Sequence, residues 1–380
     1  MVDPDVDACR KLRTVIRNDD QQARPCELGS TGSYSNGRLR RIQLNPGHRP
    51  LIIASRASPL AKVQALWVGG VLAVRHPKLK VEYRWIESEG DKLIDLPLAQ
   101  MGGKGLFASA VEEVLLSGEA DLAVHSMKDL PAAGGPSKLT IPAIPARADP
   151  RDCLISRQGH QSISQLPEGA VVGTAGPRRA AQLLRLRSDL KIQLLRGNVQ
   201  TRLRKILQGE RSPDGMRYDA TLMAVAGLQR SGLGQHAHHV IDPNEILPAA
   251  GQGALALQCR ADDHLTIRRV LPLNDPVTSQ AVHMERLVVA KLNGNCHSPI
   301  AVFAQLLDSD PEKEEFPKVS AAKSGPAWLM RARVLGLDGR TFIEVQRSAP
   351  EHQSGRLAKS LIQSLMQHGA RQLLKVPGDK

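Results

Sequence analysis

Three times along this chain a short apolar run breaks into an arginine-bearing turn and reopens as a helix. Leu51-Ile52-Ile53-Ala54 leads into Ser55-Arg56-Ala57-Ser58-Pro59. Ala170-Val171-Val172 leads through a glycine turn, Gly173 to Pro177, to Arg178-Arg179. Lys191–Leu195 leads through Arg196-Gly197-Asn198 to Arg202. Apolar runs of this length, bounded by turn residues, are strands buried on both faces, and their alternation with helices makes βαβ units on a mostly parallel sheet. Ser58 is a good N-cap and Pro59 a favoured first helical residue, so a helix is expected from there to about Arg75. The glycine turn before Arg178 matches neither a dinucleotide fingerprint nor a P-loop.

Further strands are expected at Val81–Glu87, Ala120–Val124, Asp219–Val225 and Ala254–Cys259, the second and third of them buried. The C-terminal part reads differently. It has a helix over Val277–Leu292, then strands Trp328–Leu335 and Thr341–Arg347 pairing across Asp338-Gly339, then one helix from Ser354 to Leu374. Asp-Gly between two such runs is a strong hairpin signal. The polar stretch Asp308–Pro326 is expected to be an inserted loop.

In α/β sheets ligands bind outside the carboxyl ends of the strands. There the chain places His125-Ser126-Met127-Lys128-Asp129-Leu130-Pro131, a cation and a carboxylate side by side. The arginine turns lie at the same structural position in two successive units. Arginine forks match carboxylates and phosphates bidentately, and a helix N-terminus adds free N–H groups. An anion held in a cleft between two units is the expectation. Glycines around Lys104, in Gly102-Gly103-Lys104-Gly105, permit a mobile loop. Leu106, Phe107, Ala110, Val111, Val114 and Leu115 after them read as the core stripe of a helix.

The net charge of +13 favours a polyanionic ligand. Aromatic residues are only 3%, too few for the stacking platforms of a single-strand nucleic-acid binder. No run approaches the roughly 18 apolar residues of a membrane span. The five cysteines, Cys9, Cys26, Cys153, Cys259 and Cys296, are odd in number and lack metal-ligand spacing, so no metal is expected. Reduced thiols in a cytoplasmic protein are the reading. Residues 1–46 lack a periodic apolar pattern and a secretory h-region, and are expected to be a disordered extension.

The chain resembles the porphobilinogen deaminase (hydroxymethylbilane synthase) family from about Leu51 to the C-terminus. The resemblance rests on Ala54-Ser55-Arg56-Ala57-Ser58-Pro59-Leu60-Ala61, Gly102-Gly103-Lys104-Gly105-Leu106-Phe107, the His125–Pro131 motif, Asp149-Pro150-Arg151-Asp152, Arg196-Gly197-Asn198-Val199, Gly251-Gln252-Gly253-Ala254 and the turn of Cys296, all in family order. It implies an α/β fold with two type 2 periplasmic-binding-protein-like domains flanking a cleft and a smaller α+β C-terminal domain. The implied division is 47–146 with 246–268, then 147–245, then 269–380. It further implies a monomeric transferase of haem and tetrapyrrole biosynthesis. Four porphobilinogens are joined head to tail, each losing ammonia, with a dipyrromethane cofactor attached covalently through Cys296. The implied partners are porphobilinogen and the polypyrrole intermediates, not nucleic acid or membrane.

The implied roles follow residue by residue. Asp129 is the catalytic carboxylate. Lys128, Asp129, Arg178 and Arg179 hold the cofactor, and Arg56, Ser58, Lys104, Phe107, Arg196, Asn198, Arg202 and Gln252 hold substrate. Each pyrrole carries an acetate and a propionate, so the arginines and lysines suit the growing chain. Loss of ammonia leaves a cationic azafulvene, which a carboxylate stabilises. The chain departs from the family at three places. Ala175-Gly176-Pro177 replaces Ser-Ser-Leu and removes two hydroxyl donors, leaving the Gly176 N–H as the expected close-approach donor. Gln100 replaces a lysine, and Gly294-Asn295 replaces Gly-Gly before the cysteine. A non-catalytic paralogue that binds anions or tetrapyrrole precursors is the alternative.

Overall fold

Two five-stranded mixed sheets with the same strand order lie side by side, and an antiparallel sheet packs against both. The computed structural model describes residues 49–87, 108–133, 135–237, 239–295, 298–308 and 326–374. In chain order the strands are β1 (Leu51–Arg56), β2 (Val81–Ile86), β3 (Leu122–Ser126), β4 (Leu139–Ala143), β5 (Asp152–Ser156), β6 (Val171–Gly173), β7 (Lys191–Gln193), β8 (Ala220–Ala224), β9 (His239–Val240) and β10 (Leu255–Arg260). The C-terminal strands are β11 (Ile300–Leu307), β12 (Ala327–Leu335) and β13 (Phe342–Pro350). The helices are α1 (Pro59–Arg75), α2 (Ser109–Leu116), α3 (Pro177–Leu186), α4 (Val199–Leu207), α5 (Val225–Arg230), α6 (His264–Val270), α7 (Pro276–Lys291), α8 (Ser354–Gln367) and α9 (Ala370–Leu374).

The first sheet runs β2-β1-β3-β10-β4 and the second β7-β6-β8-β5-β9. In each, the strand set antiparallel beside the third is the first one laid down after the chain crosses from the other sheet. β10 returns to lie against β3, and β5 lies against β8. This exchange links the two sheets twice. It sends two crossover segments, around residues 147–151 and 247–254, past each other between the lobes, where Ala148 N–H donates to the Gly253 carbonyl at 3.3 Å. Site residues supplied by these segments therefore sit between the two sheets.

The strands are apolar because both faces are covered. Leu51, Ile53, Leu122 and Val124 pack with Ala65, Val68 and Leu72 of α1, while Ala54 and Ala123 meet Val111 and Leu115 of α2 on the other face. Leu154, Val172, Ala220 and Leu222 form the equivalent core of the second sheet. In β12 the alternation Trp328, Met330, Ala332, Val334 turns one face onto Met284 and Val288 of α7 and Leu357, Leu361 and Leu365 of α8. The intervening Arg331 and Arg333 point the other way, towards the second lobe. There Arg333, 1% exposed, donates to the carbonyls of Asn244 and Glu245 at 3.0 Å.

The C-terminal layer is bolted to the crossovers by one ion pair. Arg147 donates to both oxygens of Glu285, at 2.7 and 3.1 Å, and Glu285 also accepts from the backbone N–H of Gly251 and Ala304. A buried carboxylate is tolerable only with such a complete set of donors.

The expected elements are present, with one division. The single helix expected over Ser354–Leu374 is two, because Gly369 adopts φ +83° between α8 and α9. The short strands β4, β5 and β9 and the longer β11 were not anticipated. The N-terminal extension and the Asp308–Pro326 insertion fall almost wholly outside the described residues.

Candidate functional site

The site is built from the carboxyl end of β3, the turns after β1, β6 and β7, and the crossover at Gly251–Gly253. β3 ends at Ser126, and a single 3₁₀ turn, Met127–Asp129, carries Lys128 and Asp129 out of the sheet. Three groups fix that turn from behind. Ser126 and Gln64 exchange hydrogen bonds at 3.2–3.3 Å. Met127 is buried against Val282 of α7. Arg286, also on α7, donates to the carbonyls of Leu130 at 3.1 Å and Pro131 at 2.6 Å.

Asp129 is half exposed and lies 3.9 Å from Arg56, the arginine of the first turn. Arg56, Ser58, Gln64, His125, Ser126 and Asp129 line one cavity at the mouth of the first lobe. Ser58 caps α1 by accepting from Ala61 N–H, as its sequence position implies. His125 is buried, and burial pushes its pKa down to about 4, with Arg56 adding to the effect and Gln258 opposing it. It is therefore a neutral imidazole at neutral pH.

Lys128 donates to Gln252 Oε1 at 3.2 Å. Gln252 has no exposed surface, and its amide donates to the Pro150 carbonyl at 2.7 Å and to Asp152 at 2.9 Å. The glycines that flank it are required. A Cβ on Gly251 would stand 2.6 Å from Met127 Cγ, and one on Gly253 would stand 2.3 Å from the Ala148 carbonyl oxygen. Both also hold positive φ. Burial and the neighbouring Arg179 lower the Lys128 pKa to about 8, against the opposing pull of Asp129 and Asp152.

Asp152 is the hub of the site. It is fully buried and accepts from Arg178 at 2.6 Å, Arg179 at 2.7 Å and Gln252 at 2.9 Å. Burial alone would raise its pKa, but the two guanidiniums outweigh it and hold the carboxyl ionised well below the usual range. Arg178 and Arg179, expected to grip an anion together, thus both hold Asp152. Arg178 is further committed to the Leu247 carbonyl at 2.6 Å. The second expectation for this turn needs correcting. The Gly176 N–H donates to Thr174 Oγ1 at 3.2 Å, so it is not held open for a ligand.

The second lobe faces this cluster with Arg202. Its Nε donates to the Gly197 carbonyl at 2.7 Å, and its pKa falls to about 10, chiefly through burial and then through Arg179, with Asp129 opposing. Arg202 therefore shares one electrostatic environment with Arg179, Arg196 and, across the cleft, Asp129. Asn198 is an exposed N-cap, accepting from Thr201 N–H at 2.8 Å. Lys104, Phe107, Gln100 and Cys296 lie outside the described residues. Of the Cys296 turn, the flanks are described. A Cβ on Gly294 would stand 2.4 Å from Ile300 Cδ1 and 3.2 Å from Val289 Cγ1, so a side chain there would displace these side-chain ends. Asn295 and Ser298 close on one another through Asn295 N–H to Ser298 Oγ at 3.1 Å.

Asp152, Arg147, Glu285 and Arg286 were not singled out from the sequence. Asp152 had a signal, as an acid in Asp149-Pro150-Arg151-Asp152 opening a strand. For Arg286 and Glu285 the helical pattern of α7 gave only two charges on a half-buried face.

A carboxylate at a strand end stands among cations drawn from two facing α/β lobes. Two family models match: "Porphobilinogen deaminase, dipyromethane cofactor binding domain" over residues 51–268, and "Porphobilinogen deaminase, C-terminal domain" over 279–367. A porphobilinogen deaminase of Syntrophotalea carbinolica is 41% identical over 324 residues, 85% of this chain and 95% of that protein. One of Pelobacter propionicus is 39% identical over 327 residues, 86% and 97%. Among solved structures, the periplasmic aliphatic sulphonate binding protein SsuA from Escherichia coli is 17% identical, covering 64% of this chain and 70% of that one, with a TM-score of 0.34. The chain belongs to the porphobilinogen deaminase family. Among the described residues no helix is long and apolar enough to cross a membrane, and no cluster of His, Cys, Asp or Glu is placed to hold a metal.

Proposed function

We propose that this protein is a hydroxymethylbilane synthase, a transferase that condenses four porphobilinogens head to tail with loss of four ammonia molecules. The observation that carries the reading is the placement of Asp129. It stands at the carboxyl end of β3, beside Arg56 and within the field of Arg202 from the opposite lobe. In each condensation the aminomethyl C–N bond breaks and ammonia leaves. The methylene carbon bonds the free α-carbon of the acceptor pyrrole, which gives up its proton. Asp129 stabilises the cation left when ammonia departs and accepts that proton. After the fourth condensation one water releases the linear product, its hydroxyl going to the methylene of the first ring and its proton to the carbon that methylene leaves. Arg56, Arg196, Arg202 and Lys104 neutralise the acetates and propionates. Ser58, Phe107 and Asn198 shape the contacts to the rings and their side arms, and Gln252 keeps Lys128 in place.

The donor set suits a carboxylate-rich dipyrromethane. Lys128 and Arg179 offer charge at the cleft floor, while Arg178, engaged with Asp152 and Leu247, sets their geometry. Tethered through Cys296, that group supplies the free pyrrole position from which the chain grows. Its carboxylates would be held by Lys128 and Arg179. The replacement of two hydroxyl donors by Ala175-Gly176 leaves this cationic set intact. Among the described residues the thiols Cys153 and Cys259 are buried, with pKa values pushed up to about 12 by burial, which suits packing rather than attachment. A monomer in the cytoplasm is the setting we assign to it.

Intact-mass measurement tests the reading. Full-length protein is expected to carry the mass of a dipyrromethane and to colour with Ehrlich's reagent, and Cys296→Ala to lose both. Adduct retained in Cys296→Ala would refute the attachment. A bare wild-type chain that cannot load in the presence of porphobilinogen would leave a precursor-binding protein instead.

A further inference from the structure

Gln182 lies on α3 one turn beyond Arg178 and has no exposed surface. Its Oε1 accepts from Leu247 N–H at 2.9 Å and from Arg333 Nη1 at 2.7 Å, and its Nε2 donates to the Leu247 carbonyl at 3.1 Å. That same carbonyl receives Arg178 at 2.6 Å. Outward, Arg333 is fixed on β12 by Glu344, which accepts from its Nε at 2.9 Å. Inward, Arg178 holds Asp152, Asp152 accepts from Gln252, and Gln252 accepts from Lys128. An unbroken line of hydrogen bonds, none longer than 3.2 Å, joins the C-terminal sheet to the ammonium at the cleft floor.

Gln182 is the narrow point of that line. On its outer side Arg333 is gripped by three partners besides Gln182, and on its inner side Asp152 gathers three donors. Between them stands one amide, with the Leu247 peptide group it holds at both ends. The hairpin tip adds a steric seat on the same helix. A Cβ on Gly339 would stand 2.4 Å from the Ala181 carbonyl, and Arg185 stacks over Phe342 at 4.3 Å. The C-terminal sheet thus grips α3 on the turn that precedes and follows Gln182, while the N-terminal end of that helix bears Arg178 and Arg179. Buried polar networks of this kind hold geometry only when every member is satisfied.

We propose that Gln182 is a positioning residue: it transmits the seating of the C-terminal sheet, through Leu247, Arg178 and Asp152, to the Lys128–Gln252 pair. The role deepens the deaminase reading and rests on it for its kinetic consequence. Its structural consequence, the environment of Lys128, is measurable without turnover.

The test uses full-length holo-protein and Gln182→Met, which keeps the volume and removes both ends of the amide. Lysines are reductively ¹³C-methylated and the Lys128 resonance, identified by its loss in Lys128→Arg, is titrated by NMR. In wild type its midpoint is expected near 8. In Gln182→Met it is expected to rise by about half a unit, because loosening the pair admits water to a group whose pKa is lowered mainly by burial. In parallel the KM for porphobilinogen is expected to rise about fivefold with kcat within about twofold, at a temperature well below the melting transition. A variant with lower Tm but wild-type KM and wild-type Lys128 titration would overturn the proposal and leave Gln182 as packing. Should Gln182→Met not fold, Arg333→Met cuts the line one step further out and is read by the same two measurements, with the same outcomes decisive. A wild-type protein that consumes no porphobilinogen would sink the deaminase reading, while the Lys128 titration would still decide the role of Gln182.

Discussion

Lys128 and Gln252, 124 residues apart in the chain, meet at 3.2 Å between the two lobes. The pairing exists because β10 returns to the first sheet from the second and brings the Gly251–Gly253 crossover beneath the turn that ends β3. One side chain thereby touches both the cation of the first lobe and, through Asp152, the paired arginines of the second. Lobe geometry and cleft electrostatics are set by the same contact.

Asp129→Asn keeps the shape of the turn and removes the charge. A loss in kcat of at least about a hundredfold is expected, the scale of a lost acid–base or electrostatic group. Steady-state kinetics on cofactor-loaded protein checks it, and near-normal turnover would exclude Asp129 from the chemistry.

The charge on Lys128 gives a pH dependence. Its pKa lies near 8, so the ammonium is lost as pH rises through that value. Anion binding should weaken on the alkaline side, with KM climbing above pH 8. Lys128→Arg remains charged there and should flatten the rise; an identical profile in the variant would assign the limb to another group.

His125 acts on the acid side. Its folded pKa of about 4 lies below the unfolded value near 6.5, so the unfolded chain takes up the proton first as pH falls. Its contribution to stability is complete above about pH 6.5 and is lost between there and pH 4, amounting to on the order of 3 kcal/mol. Urea unfolding at a series of pH values should show a shallower acid decline in His125→Gln than in wild type.

Glu285→Ala removes the acceptor of Arg147, Gly251 and Ala304 at once. Leaving a buried guanidinium unpaired costs roughly 3–5 kcal/mol. Denaturant unfolding should show that loss. A change below about 1 kcal/mol would mean that the C-terminal layer is seated mainly by its apolar contacts.

Much of this site was legible before any coordinates. Arg56, Lys128, Asp129, Arg179 and Arg202 sit in or just beyond turns that follow expected strands, the ends that physics ties to ligands, whereas Gln252 was indicated by the family resemblance alone. The structure gathers them round one cleft. What was not legible depends on partners far apart in sequence. Arg178 looks like its neighbour Arg179 and both reach Asp152, yet Arg178 is further committed to the Leu247 carbonyl, 69 residues away. Arg286 holds carbonyls some 155 residues earlier. No periodicity encodes such contacts. β9 escaped because a two-residue edge strand has too little pattern to read. The break at Gly369 was hidden because the apolar spacing of α8 continues into α9.

The measurement that bears most directly on the account is single-substrate turnover by the full-length chain, following porphobilinogen, ammonia and product together. The account expects one ammonia released per porphobilinogen consumed and a linear tetrapyrrole as product, with the protein itself returned at its starting mass. Tight binding of porphobilinogen by cofactor-loaded protein, with neither ammonia nor tetrapyrrole formed, would contradict it.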